Sequence, residues 1–346
     1  MQFAACPMPI VDHKAIVLGH GSGGRLSHQL MQNVIWPAFQ NEILSTRHDG
    51  AVIPTEKGRM AFTTDSYVIH PIFFPGGDIG ELAVNGTVND LAMCGAQPKY
   101  LSASLIIEEG LSMEDLWRIV CSMRDAAAAA GVMLVTGDTK VVDRGKADRI
   151  FINTAGMGIV PDGIEIDPCR AAPGDAIILS GPIASHGISI MSVREGLEFE
   201  SPIESDTAAL NGLVRTMMTA SPNIHVMRDP TRGGVASALN EIAETSQHGI
   251  LIREESIPIR SEVQGACEVL GLDPLYVANE GCLLAFVCPA DTEPVLAAMK
   301  NHPLGRESAI IGEVVENDPG IVVMRTRIGG NRIVDMLSGE QLPRIC

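Results

Sequence analysis

A chain of 346 residues is long enough for two domains with sizeable cores. Its 42 acidic against 25 basic residues give a formal charge of -17, which argues against nucleic acid or an anionic membrane as the main partner. The 8 cysteines include no CxxC pair and no zinc-spaced ladder; no basic-then-apolar leader is present, and no apolar run approaches the roughly 18 residues of a spanning helix, so a cytoplasmic protein is expected.

The segment 1–45 carries Gly19, Gly21 and Gly24 in GxGxxG spacing between a short apolar run, 15–18, and a helical pattern over 26–36. A dinucleotide fold needs a second strand ending in an acidic residue soon afterwards; Pro37 stops the helix and 41–50 is polar and irregular. What remains is a loop, Gly21, Ser22, Gly23, Gly24 and Arg25, whose backbone amides could approach phosphates, or a flexible turn.

From there the pattern predicts a domain over 46–165. Strands are expected at 51–54 and 59–64, a helix over 79–94, a strand over 99–107, a helix over 112–130 capped by Ser112, and strands over 132–141 and 149–160. This is an α+β arrangement, a mixed sheet with helices on one face. The other sheet face is apolar too and would suit a second subunit, making a homodimer. Prolines and glycines over 163–174 mark a boundary, after which 166–336 reads as a second αβ domain. Its strands are expected at 175–180, 249–253, 283–287 and within 310–324, and its helices at 183–194, 206–220, 233–247, 262–270 and 292–301. The last residues, 337–346, read as a mobile arm ending in Cys346: they lack apolar periodicity, and Pro343 biases Leu342 toward extended geometry.

Four stretches put polar residues where a plain core element would not. Asp65 ends an apolar strand, where it could also cap a turn. Asn85, Asn89 and Asp90 sit in a helical pattern made mostly of poor helix formers, a conflict expected where function constrains sequence. Asp138 and Lys140, flanking Thr139, point to one side of an extended chain, suiting a magnesium phosphate or a simple ion pair. Asp229 and Pro230 read either as an ordinary helix cap and first turn or, with Arg232, as an anion site at a helix N-terminus.

Together these stretches resemble a known family. TTDSYVI (63–69), NGTVNDLAMCGAQP (85–98), GDTKVV (137–142), DPTRGG (229–234), NEG (279–281) and terminal PRIC (343–346) are similar to the HypE family of hydrogenase maturation proteins, in the aminoimidazole ribonucleotide synthetase (PurM-like) superfamily. The PRIC ending separates that family from selenophosphate synthetase and thiamine monophosphate kinase. The resemblance implies a two-domain PurM-like fold that dimerises through its N-terminal sheets and binds ATP with Mg2+. It implies that Cys346 accepts a carbamoyl group from HypF and that ATP drives its dehydration to a thiocyanate. The cyanide would then pass to iron on a HypC–HypD complex for [NiFe] hydrogenase. Asp65, Asp90 and Asp138 would hold the metal; Lys140, Asn89, Thr139, Gly21 to Arg25 and Arg232 would attend the nucleotide. Glu280 would take the proton from the carbamoyl nitrogen, with His225 as the alternative. Two other outcomes stay open: an ATP-dependent relative acting on a free small molecule, and a non-catalytic carrier with a docking tail.

Overall fold

The computed structural model describes residues 14–17, 29–41, 59–196, 203–337 and 345–346. The loop Gly21 to Arg25, the strand expected at 51–54 and the tail residues 338–344 lie outside the described residues. A π-helical turn, Met31–Ile35, runs directly into a short helix, α1 (Trp36–Phe39), before the first sheet. Pro37 therefore does not stop the helix as expected; it sits in the first turn of α1, where its missing amide hydrogen costs least. That sheet comprises β1 (Arg59–Tyr67), β4 (Gln97–Glu108), β5 (Met133–Val142) and β6 (Ile150–Val160) in the order β1-β6-β4-β5; a small hairpin, β2 (Phe73–Phe74) with β3 (Gly77–Asp78), stands beside it. β4 and β5 are parallel and the other pairs antiparallel, so the sheet is mixed as expected.

One face is covered by α2 (Ile79–Met93) and α3 (Met113–Ala130). Asp78 caps α2 through the amides of Gly80 and Glu81. Ser112 caps α3 by accepting from the Asp115 amide at 3.0 Å, and Gly131 closes it in the left-handed conformation. The poor helix formers of α2 are each explained by what they meet. Thr87 bonds Thr154 at 2.5 Å, Asp90 accepts from Thr63 at 2.9 Å, and Gly86 leaves room for the fully buried Tyr67 ring. The opposite face is open in the single chain, and register sets Phe62, Met157, Tyr100 and Met133 in one row across all four strands. Phe62 is 71% exposed.

The second sheet has seven strands: β7 (Ala176–Leu179), β8 (Ile224–Arg228), β9 (Gly249–Arg253), β10 (Leu284–Val287), β11 (Ala309–Val315), β12 (Val322–Arg325) and β13 (Asn331–Ile333). Their order is β13-β12-β9-β11-β7-β10-β8. α4 (Ser185–Glu195), α6 (Gly234–Ser246) and α7 (Ser261–Leu270) pack with one core, and α5 (Asn211–Ala220) and α8 (Thr292–Lys300) with the other. Ala92 and Met93 of α2 join this second core, so the domains are packed together. Among the described residues, no helix is long and apolar enough to cross a membrane.

Three expectations needed correction. β8 is absent from the sequence-based elements, because five residues carrying His225 and a terminal arginine give little periodicity. The strand pattern over 310–324 is two strands, divided by a turn in which Asp318 and Gly320 both have positive φ. The helix expected from residue 206 begins at Asn211, and 203–210 is instead an irregular strap tied to both domains. Ser205 donates its amide to Pro75 O, and Asp206 accepts the Glu280 and Gly281 amides at 3.1 Å each.

Candidate active site

The end of the chain lies between the domains. The Val68 amide donates to the Cys346 carbonyl oxygen at 3.1 Å, His186 Nε2 meets the Ile345 carbonyl at 2.6 Å, and the Ile345 side chain is buried in the first core. The arm expected to be mobile therefore has an anchored end. Burial pushes the Cys346 thiol up to about 12; the Glu280 carboxyl adds to this, while Arg232 works against it. A thiol so placed is held in its protonated form, which is a poor nucleophile.

Glu280, on the loop before β10, lies near enough to that thiol to raise its pKa. Asn279 holds the loop: its Oδ1 accepts from the Ala184 amide at 2.6 Å, and its Nδ2 donates to Pro230 O and Val277 O at 2.9 and 3.0 Å. One buried amide thus joins the starts of α4 and of the DPTRGG turn to the Glu280 loop. Gly281 is required because a Cβ there would overlap the Asp206 backbone carbonyl. Glu280 is buried, and among the described residues its Oε1 has no hydrogen-bond partner. Burial, and then Asp229 and Asp206, hold its pKa well above the usual carboxylate range.

Three more carboxylates face one another across the domain junction. Asp65 and Asp90 come from β1 and α2, and Asp229 from the end of β8. Asp229 is pushed up to about 7 by burial, then by Asp90, with a smaller contribution from Asp65; Asp90 is raised by burial and by Asp65. Asp229 is not the helix cap that its sequence context suggested. The cap position is Gly233, four residues later, which leaves the Asp229 carboxyl buried and available to the site. Arg232 is exposed in that turn.

Asp138 and Lys140 stand elsewhere in the chain. They form an exposed ion pair at 3.1 Å on β5, the sheet edge opposite β1. Three strand spacings put Asp138 about 14 Å from β1. Its partner Ser104 points to the open face, whereas Asp65 pairs with Thr154 on the helix-covered face. One chain therefore does not bring Asp138 to Asp65 and Asp90. Thr139 lies between them on the same edge strand. Asn89 uses both amide hydrogens on Ala208 O and Glu280 O, at 3.0 and 3.3 Å, and accepts from the Leu210 amide, so it joins the domains rather than facing a nucleotide. His225 is bonded to Asp175 at 2.8 Å, at the end of β8 remote from Arg228 and the Glu280 loop. Gly21, Ser22, Gly23, Gly24 and Arg25 lie outside the described residues.

Sequence inspection did not single out Asp206, Asn279, Tyr67 or His186, and it read Asp229 as a helix cap or as part of an anion site with Arg232. NEG and DPTRGG pointed to the loops of Asn279 and Asp229; nothing local singled out His186 or Asp206, whose roles depend on partners far along the chain.

The profile of the AIR synthase related protein N-terminal domain matches residues 47–160, and that of the C-terminal domain matches 172–325. The carbamoyl dehydratase HypE of Cupriavidus necator is 56% identical over 332 residues, 96% of this chain and 95% of that protein. The chain belongs to the HypE family. A hydrogenase maturation protein HypE crystallised in complex with ATP is 49% identical, with a TM-score of 0.92 over 95% of this chain and 99% of that one. A HypE–HypF complex contains a chain 47% identical, with a TM-score of 0.79 over 91% of this chain and 100% of that one. The two-domain PurM-like fold expected from the sequence is thereby established.

Proposed function

We infer that this HypE-family chain is an ATP-dependent carbamoyl dehydratase whose substrate is carried on its own last residue. An S-carbamoyl group on Cys346 becomes a thiocyanate as ATP becomes ADP and phosphate, supplying cyanide for the iron of [NiFe] hydrogenase. The observation that carries this reading is the chain end itself: Ile345 buried, and Cys346 beside Glu280, within a ring of carboxylates.

ATP supplies the activation, because a carbamoyl oxygen leaves readily only as a phosphate. The remaining work is positioning and charge control. Glu280 is the group best situated to take the nitrogen's protons. Its raised pKa follows first from burial and then from neighbouring carboxylates, so a cation that neutralises them brings it toward a general base's working range. Arg232, exposed next to the thiol, would meet phosphate charge.

The donor set suits magnesium. Asp65, Asp90 and Asp229 are hard oxygen ligands that repel one another until a cation arrives. Among the described residues no three potential ligands already converge on a metal-sized site, in keeping with an ion that keeps waters and shares substrate phosphates. We place Asp65 and Asp90 in that shell. Any contribution from Asp138, Thr139 or Lys140 then comes from a second subunit, which fits a homodimer closed over the row Phe62, Met157, Tyr100 and Met133. The partners that follow are HypF as carbamoyl donor and HypC–HypD as cyanide acceptor, in a reducing cytoplasm.

Intact mass of the protein after incubation with HypF, carbamoyl phosphate, ATP and magnesium tests the proposal. A gain of one carbamoyl followed by loss of one water, both absent in Cys346→Ala, is expected. ATP consumption with identical masses in the two proteins would instead favour a free small-molecule substrate.

A further inference from the structure

The carbonyl of Ile345 can only accept a hydrogen bond, so His186 Nε2, at 2.6 Å, carries the proton. In the neutral ring Nδ1 is then an acceptor and takes the hydroxyl hydrogen of Ser205 at 2.8 Å, while the Ser205 oxygen accepts from the Thr207 amide at 3.1 Å. The chain of donors runs in one direction, from the strap through the imidazole to the chain end. Only the neutral ring satisfies it, and burial keeps the ring neutral, lowering its pKa to about 4. The ring is fully buried, with Phe74 edge-on against it at 5.6 Å and 89°. It projects from the start of α4, whose preceding amide, Ala184 N, is held by Asn279, the neighbour of Glu280. From the other domain, the Val68 amide holds the Cys346 carbonyl. The two bonds lie on either side of the Cys346 Cα, and neither touches Sγ.

We propose that His186 is a positioning residue that docks the chain end by its backbone, gripping the Ile345 carbonyl so that Cys346 returns to the same place whatever its sulfur carries. Thiol, carbamoyl and thiocyanate forms share the grip, since none alters the two carbonyls. The docking claim stands on geometry alone; its catalytic consequence rests on the dehydratase reading above.

The test is the rate at which iodoacetamide alkylates Cys346 in the full-length protein, read from the mass of the C-terminal peptide, with the buried Cys267 and Cys282 as internal controls for folding. His186→Ala removes the buried hydrogen bond to the Ile345 carbonyl, along with that to Ser205, and loss of the first should raise the Cys346 rate about tenfold. His186→Gln, whose Nε2 amide can reach the same carbonyl, should stay near wild type. An unchanged Cys346 rate in His186→Ala, with Cys267 and Cys282 still protected, would overturn the proposal. Should the alanine variant expose those two cysteines as well, His186→Gln decides: wild-type protection supports the grip, and an exposed Cys346 in an intact fold refutes it. A second arm uses protein already carbamoylated on Cys346. ATP-driven loss of water should slow in His186→Ala and recover in His186→Gln. If the wild type itself loses no water, the dehydratase reading fails while the alkylation result still stands.

Discussion

Gly86 is a sharply constrained position of the α2 helix, and replacing it with alanine tests one contact, that with the Tyr67 ring. A Cβ at Gly86 would overlap the Tyr67 hydroxyl oxygen and lie 3.0 Å from Cζ and 3.2 Å from Cε1. Tyr67 is 1% exposed and is enclosed by the first core, so its ring cannot swing away. Alanine gains about 1 kcal/mol of helix propensity over glycine. Forcing extra atoms into a packed core costs about 1–3 kcal/mol, with the upper end apt for a rigid, enclosed ring. Gly86→Ala should therefore destabilise the first domain by about 2 kcal/mol net of propensity. Among the described residues the buried Tyr67 hydroxyl lies near Thr87 but makes no well-formed hydrogen bond, Thr87 being engaged with Thr154, so Tyr67→Phe alone should change stability by about 1 kcal/mol at most. In the Tyr67→Phe background the overlapping oxygen is gone, and Gly86→Ala should recover most of its loss, though not all, because the ring carbons stay close. Urea unfolding followed by tryptophan fluorescence suits the cycle, since Trp36 and Trp117 both lie before the second domain. A Gly86→Ala protein as stable as wild type, or one equally destabilised with and without the hydroxyl, would refute the steric account.

Glu280→Gln should lower the rate of water loss from carbamoylated protein by about 10²–10⁴-fold while leaving carbamoylation intact, as single-turnover mass measurements can check. Docking of the chain end should depend on alkaline pH. The docked thiol's pKa is raised to about 12 from an ordinary 9.0, so docking is at full strength below pH 9 and weakens as pH rises toward 12. The loss is about 1.4 kcal/mol per pH unit. Tryptic cleavage after Arg344, normalised to a free peptide of the same sequence, should accordingly rise about fivefold from pH 9 to 10, half of the free thiol being ionised already at pH 9, and more steeply beyond. Cys346→Ser should show no such rise. Phe62→Glu places a charge in the apolar row of the open sheet face and should yield monomers in sedimentation velocity, with monomer stability changed by less than about 0.5 kcal/mol at so exposed a site.

Local chemistry made much of the first domain legible. The 3.6-residue apolar period with Ser112 and Gly131 at its ends defines α3, and the alternation along 150–160 defines β6, because both signals depend on neighbours only a few residues away. Asp65 and Asp90 were recognisable as polar residues out of keeping with their elements and Cys346 as the thiol of an aperiodic arm, whereas Glu280 came into view only through the family resemblance of NEG. α2 could be found but not explained. Its Gly86, Thr87 and Asn89 make sense only once Tyr67, Thr154 and Ala208 are packed against them.

What the amino-acid sequence determined by itself is the order of most elements, β8 and the split of 310–324 excepted, together with the two-domain division and a cysteine on an aperiodic arm. The tertiary structure alone decided which polar groups meet. Asp229 lost its role as a helix cap because the helix begins at Gly234, and Asp138 fell on the wrong edge and face for Asp65 because register, not spacing, sets facing. His186 found its partner 159 residues away, at the last peptide bond. Periodicity is a property of adjacent residues; convergence depends on how distant segments pack, and no local pattern records it.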